Sequence, residues 1–489
     1  MHEMHRFKPG GALQNVQLTR SIGIAVITIP FILILMSGCS PLPTSTPPTP
    51  TPPPGPEEPH LQFPTPPDVS MGTFSFSDVL FGPAPTLSVH VSEIDANTGR
   101  VVINGVDSRS PNTPFLFAWG DGSKDEGWFP MEHTYTDTTR NYIITVTARY
   151  SSDMTDSARA VVRFSPPTVE RMSTPAILTV SVPNHHVTLE TRLYTVPSSL
   201  TYFSDQFFVN TPRAVVEYVL TLAAWIQCEF TNGDIVAIEG GFPQVILRDP
   251  TIRGMHSLWY TSPVAVAAGD YAFAGAVQYS SLFHEIGHNF TLNTPAQYPY
   301  GGKIDGNANA IYSESLAQIF QHATAYEIIN NASLYGLPED LALEIKLSAI
   351  ASASILRQAF ENYLSSGRRF SSWNDPSTPQ DETYGTFMTI AYKFCAHAEM
   401  MGCGYRLPLK RMMRLLQVFN SDLAARYAPS EDSAEAETFR ATLLVAALSY
   451  AFSSDLRAEF RDLNFPVDDA VYDELLQLME RMRGSTIRL

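Results

Sequence analysis

His284, Glu285 and His288 stand together in Leu282-Phe283-His284-Glu285-Ile286-Gly287-His288-Asn289-Phe290. Residues four apart on a helix share a face, so both imidazoles can offer a nitrogen to one metal ion. A catalytic zinc takes three protein ligands and leaves a fourth position open for water. Glu285 is one residue past the first imidazole, beside such an ion without binding it. From there its carboxylate can take a proton from an attacking water and return it to a leaving amine. This is hydrolytic chemistry. Phe283, Ile286 and Phe290 follow helical spacing on another face and would pack the helix into a core. Gly287 keeps the helix slim at a cost of about 1 kcal/mol of helix propensity against Ala.

A bare pentapeptide of this kind also arises by chance, as two partly exposed helix histidines, so the reading needs a third ligand. The metzincin continuation requires a Gly and a His where this chain has Thr291 and Thr294, which excludes that class. Downstream, Ile311-Tyr312-Ser313-Glu314-Ser315-Leu316-Ala317-Gln318 reads as the start of a second helix, with Glu314 placed 26 residues after His288. The arrangement resembles the gluzincin metallopeptidases, where a glutamate on a second helix completes the zinc site. Within that group His-Glu-Ile-Gly-His-Asn is most similar to the enhancin-like and mucin-directed peptidases, from which Ser315 and Gln318 depart. The resemblance implies a Zn2+ site of His284, His288 and Glu314, with Glu285 as general base and acid. Asp305, in Lys303-Ile304-Asp305-Gly306, is the rival third ligand, in the manner of aspzincins, although such stretches are more often plain turns. Gluzincins also bring a Tyr or His from a helical lobe to the oxyanion; Tyr384, Tyr392 and His397 are the candidates and Tyr384 is preferred. Asn289 is a candidate for orienting His288.

The chain that must position these groups has 489 residues, 44% of them hydrophobic, enough for several cores. Its net charge of −17 excludes a nucleic-acid partner, since phosphate backbones demand basic patches. Arg6, Lys8 and Arg20 precede an apolar run over 22–36, and Ser37-Gly38-Cys39 follow it. This resembles a bacterial lipoprotein signal over 1–38, which implies cleavage before Cys39 and a lipid on its sulfur. An uncleaved membrane anchor is the alternative; both place the remainder outside the cytoplasm, held at the membrane. Residues 39–67 are rich in Pro and Thr, prefer extended polyproline II and make a spacer.

From 83 to 165 the text turns to short alternating runs that predict a small β-sandwich. Trp119-Gly120-Asp121-Gly122, followed by His133-Thr134-Tyr135, resembles the signature of immunoglobulin-like PKD (polycystic kidney disease) domains. That implies a Trp packed between sheets, a tight turn, and a stalk or a weak carbohydrate- or protein-binding module. Asp121 and Asp125 read as turn residues before calcium ligands. His185-His186 reads as a surface turn, because neighbours on a strand face opposite ways. Strands are expected over 177–182, 186–190, 235–238 and 244–247, and the metal helix over 272–289. One of the last two strands, or the run 257–260, would hold the substrate backbone. Apolar periodicity predicts helices after 311. Of the four cysteines, Cys39 would carry lipid, Cys228 is left over, and Cys395 and Cys403 could pair in an oxidising compartment.

The expected architecture is multidomain: the β-sandwich, then an α+β zincin-type catalytic domain over 176–489. Its α/β lobe with the metal helix spans 176–310 and its mainly helical lobe 311–489. The function expected is a secreted, lipid-anchored zinc metallopeptidase acting on extracellular proteins or glycoproteins. The competing reading is a cell-surface adhesin, or a carbohydrate- or protein-binding protein, on an inactive peptidase fold. The intact His284, Glu285 and His288 favour the enzyme.

Overall fold

Alternating inward residues build the first domain. In this computed structural model the described residues are 73–82, 86–165, 177–182, 187–192, 212–230, 245–248, 255–257, 263–266, 277–292, 309–373, 380–416, 418, 421–428 and 431–486. The signal and spacer segments with Cys39, the strand expected over 235–238, His185-His186 and Asp305 lie outside them. A short helix α1 (Ser77–Phe81) comes first. It is followed by β1 (Leu87–Asp95), β2 (Arg100–Asp107), β3 (Phe115–Ala118), β4 (Lys124–Gly127), β5 (Met131–Thr134), β6 (Tyr142–Arg149) and β7 (Thr155–Val162). One antiparallel sheet has the order β1-β2-β5 and the other β4-β3-β6-β7. On β6, Tyr142, Ile144, Val146 and Ala148 are buried while Ile143 faces out, the period of two that a half-buried strand requires.

Trp119, immediately after β3, is fully buried, stacked on Phe117 at 5.4 Å and on His133 at 4.5 Å between ring centroids. Its indole N–H donates to Asp125 Oδ2 at 2.8 Å, and Tyr135 Oη donates to its carbonyl at 2.7 Å. Asp121 accepts from Ser123 N at 2.8 Å and pairs with His133 Nε2 at 2.8 Å. Both aspartates are therefore engaged within the turn. Gly120 sits at φ +83°, where a Cβ would meet Ile143 O at 2.6 Å, so the turn requires glycine.

A β-rich N-terminal part is followed by a mainly helical C-terminal part. β8 (Ile177–Val182) and β9 (Val187–Arg192) form an antiparallel hairpin. After α2 (Arg213–Phe230) comes a three-stranded sheet of β10 (Val245–Arg248), β11 (Met255–Ser257) and β12 (Pro263–Val266). Its order is β10-β12-β11, with β12 parallel to β10 and antiparallel to β11. Nine helices then run through the rest of the described chain. They are α3 (Tyr279–Leu292), α4 (Asn309–Asn330), α5 (Glu339–Ser365), α6 (Gln380–Met401), α7 (Arg406–Leu416), α8 (Ser421–Tyr427), α9 (Ala434–Phe452), α10 (Arg457–Asp462) and α11 (Asp469–Thr486). Among the described residues no helix is long and apolar enough to cross a membrane.

Three features differ from the sequence expectation. α3, where the metal helix was expected, starts at Tyr279 with Val277 and Gln278 outside it, and α5 side chains accept from Val277 N–H just before it and Ser280 N–H within it. Residues 73–82, which carry no sequence motif, join the helical core. There Phe74 N donates to Asn330 Oδ1 at 2.8 Å, and Phe74, Phe76 and Leu80 are buried. Cys395 and Cys403 are both free. Cys395 lies on α6 about 9 Å of helical rise before the helix end and Cys403 beyond that end, too far apart for a disulfide.

Candidate metal centre

Two helices bring the ligand set together. α3 and α4 pack antiparallel: His288 meets Ser313, Gly287 meets Ala317 and Phe320, and Gln227 bridges Phe283 O and Thr324 Oγ1. A Cβ at Gly287 would lie 3.2 Å from Ala317 Cα and 3.2 Å from Phe320 Cβ. The missing side chain is what lets the two helices approach.

Across that contact Glu314 Oε2 lies 3.3 Å from His284 Nε2, and Oε1 lies 3.4 Å from His288 Nε2. The two imidazole rings stand at 89° with centroids 4.6 Å apart. Ligand atoms of the three residues all fall within 4.8 Å of one another, so the group could hold a metal ion. Zinc bonds of about 2.0–2.1 Å at tetrahedral angles put ligand atoms about 3.4 Å apart, which the two His–Glu distances match. All four residues, Glu285 included, are buried.

Burial sets the protonation states. It pushes the His284 imidazolium down to about 3, so at neutral pH the ring is neutral and its nitrogen lone pair is available. The same burial raises the Glu314 carboxyl, with His288 pulling in the opposite direction. A buried carboxylate beside the neutral His284 ring and the His288 ring is a site that favours a cation. His288 Nδ1 lies 2.9 Å from Ser313 Oγ. Were Nε2 to give its lone pair to an ion, Nδ1–H would donate to that hydroxyl, which fixes the ring.

Of the three residues expected near the oxyanion, Tyr384 alone is brought within the field of Glu314. Its phenol is raised by burial first and by the Glu314 charge second, and its ring packs edge-on to Phe387 at 5.2 Å. Tyr392 is committed elsewhere, donating to Leu80 O at 3.1 Å and stacked on Phe360. His397 Nε2 pairs with Glu459 Oε2 at 2.9 Å. Of the strands, β11 packs directly against α3 and, among the described residues, is an outer strand of its three-stranded sheet. That contains Ser257, at the head of one of the expected runs.

Sequence reasoning missed Ser313 and His322. The first signal was adjacency to Glu314. The second was helical spacing, since eight residues place His322 two turns along the same face of α4. His322 is buried, held down to about 3 by burial and then by His284, with the Phe76 ring edge-on at 5.5 Å. Asp305 and the side chain of Asn289 lie outside the described residues.

The described chain thus contains a buried His284-His288-Glu314 group carried on two helices of a mainly helical domain. No family model and no curated protein matches the sequence. Among solved structures, the chain is similar to the crystal structure of a functionally unknown conserved protein mutant from Bacillus anthracis str. Ames. The identity is 10%, over 82% of this chain and 75% of that one, with a TM-score of 0.34. A likeness at that score carries no argument about either protein.

Proposed function

We propose that the chain is a zinc metallopeptidase of gluzincin type, exported and lipid-anchored through Cys39, with a PKD-like β-sandwich ahead of its catalytic domain. The observation that carries the reading is the convergence of two imidazole nitrogens and one carboxylate at zinc-ligand spacing, with a buried Glu285 inside the same helical turn. Substrates are extracellular proteins or glycoproteins.

His284, His288 and Glu314 would hold the ion. When bound there, zinc supplies a Lewis acid that polarises a peptide carbonyl and makes water a nucleophile at neutral pH. The Glu285 carboxylate accepts a proton from the attacking water and returns it to the leaving amine nitrogen. The Tyr384 hydroxyl donates a hydrogen bond to the oxygen on which charge develops. Ser313 holds the His288 ring, and burial of the whole group keeps bulk water from competing. The β11 edge offers backbone groups to an extended substrate strand.

The test is a pair of measurements on purified protein: zinc per chain by plasma mass spectrometry, and hydrolysis of a broad peptide library by wild type and Glu285→Gln. One zinc per chain, with hydrolysis abolished in a variant that keeps its zinc, is the expected result. Full activity in Glu285→Gln would falsify the mechanism.

A further inference from the structure

The geometry points to the β-sandwich as a positioning element of the metal helix, acting through Arg163 on Glu344. The catalytic meaning of this rests on the peptidase reading; the mechanical coupling does not. The first N–H groups of any helix lack intrahelical partners and must be met from outside. At α3, Tyr279 N–H turns back to Val277 O at 2.9 Å, and a different helix meets the groups on either side. Val277 N–H donates to Glu344 Oε1 at 3.2 Å, and Ser280 N–H donates to Ser348 Oγ at 3.1 Å. Glu344 and Ser348 lie one turn apart on α5, and His284 lies one turn beyond Ser280 on α3.

Glu344 is buried, and its other oxygen receives Arg163 Nη1. Arg163 immediately follows β7 and is itself only 5% exposed. Its Nε donates to Asp340 Oδ2 at 3.1 Å and Nη2 to Asp340 O at 3.0 Å. Asn141, also from the sandwich, donates to Asp340 Oδ2 at 3.1 Å. The path is continuous: a sandwich cation neutralises a buried carboxylate, and that carboxylate holds the entry to the metal helix. A buried carboxylate stripped of its cation is strongly disfavoured. Glu344 would then take a proton or swing out, and either change loosens its hold on Val277 N–H. His284, two turns beyond Val277 and one beyond Ser280, loses its fixed orientation. A detachable stalk would show no such dependence.

The experiment compares full-length wild type, Arg163→Met and the pair Arg163→Met/Glu344→Gln by amide hydrogen exchange over residues 277–288 and by zinc affinity in chelator competition. Arg163→Met is expected to speed exchange there roughly tenfold or more and to weaken zinc by roughly 10–100-fold. The double variant is expected to recover both, because a neutral amide oxygen at 344 still accepts from Val277 N–H and leaves no buried charge. Unchanged exchange and affinity in Arg163→Met overturns the proposal. So does a double variant as loose as the single one, the outcome if Arg163 is only interface adhesive. If Arg163→Met does not fold, the double variant is read against wild type alone. Native protection of 277–288 supports the coupling and loosened protection overturns it. A wild type that binds no zinc or cleaves no peptide defeats the peptidase reading and leaves the exchange comparison intact.

Discussion

Ser313 Oγ sits 2.9 Å from His288 Nδ1, and Ser313 is the residue immediately before Glu314. One helical turn of α4 therefore supplies both a proposed ligand and the group that aims a proposed ligand on α3. Ser313→Ala removes the acceptor that fixes the His288 tautomer and ring plane without opening a large void. Zinc affinity is expected to fall roughly 10–100-fold while the unfolding midpoint of the metal-free protein stays close to wild type. Chelator competition measures the first and urea titration the second. Wild-type affinity in the variant would mean that burial alone orients the ring.

Gly287 poses a contest between two effects of opposite sign. Ala gains about 1 kcal/mol of helix propensity over Gly. Its Cβ, however, would press on Ala317 Cα and Phe320 Cβ at 3.2 Å, and a backbone-attached atom cannot rotate away. Overpacking of this kind costs about 1–3 kcal/mol. Gly287→Ala is expected to be net destabilising by about 1 kcal/mol in urea titrations and to weaken zinc, since the ligands come from both helices. A stabilised variant would show that α3 and α4 separate freely.

The parts of the site that sequence exposes are those set by local periodicity. The spacing of His284 and His288 places them on one face, and Glu314 near the start of a second apolar helix completes the set. Trp119 and the glycine turn after it are legible for the same reason, because a buried Trp and a positive-φ Gly are local requirements. The start of α3 was misplaced because its caps, Glu344 and Ser348, come from a helix more than sixty residues downstream. The ion pair of Arg163 with Glu344 spans 181 residues and leaves no local signature. The core role of Phe74 and Phe76 was hidden by a Pro-rich segment that ends only a few residues before them.

Tyr384 separates an oxyanion donor from a core tyrosine. Its hydroxyl lies within the field of Glu314, and in the proposed mechanism removing it takes a donor from the reacting carbonyl without touching a ligand. Tyr384→Phe is expected to lower kcat by about 10²–10³ with KM and zinc content unchanged. Steady-state kinetics on one cleaved peptide decides it. A change confined to KM would reassign the residue to substrate binding.

The metal-free protein carries two buried neutral imidazoles, His284 and His322, and these set a pH dependence with a definite sign. Each is held at about 3 against an ordinary value of 6.5. Below pH 6.5 the unfolded chain binds protons that the folded chain refuses until about pH 3. Stability therefore falls as pH drops through that window, by about 1.4 kcal/mol per pH unit for each group. Glu314 works the other way. Its raised carboxyl holds a proton that the unfolded chain has released, so its contribution is lost as pH rises above the ordinary carboxylate range. Because these terms partly offset, the informative quantity is a difference between proteins. His322→Phe removes one refusing imidazole and leaves all three ligands in place. Urea titrations of both metal-free proteins between pH 6 and pH 4 are expected to show the variant losing less stability on acidification, by about one proton's worth of slope. Identical slopes would mean that His322 takes up its proton while still folded, and that the space between α4 and Phe76 admits water.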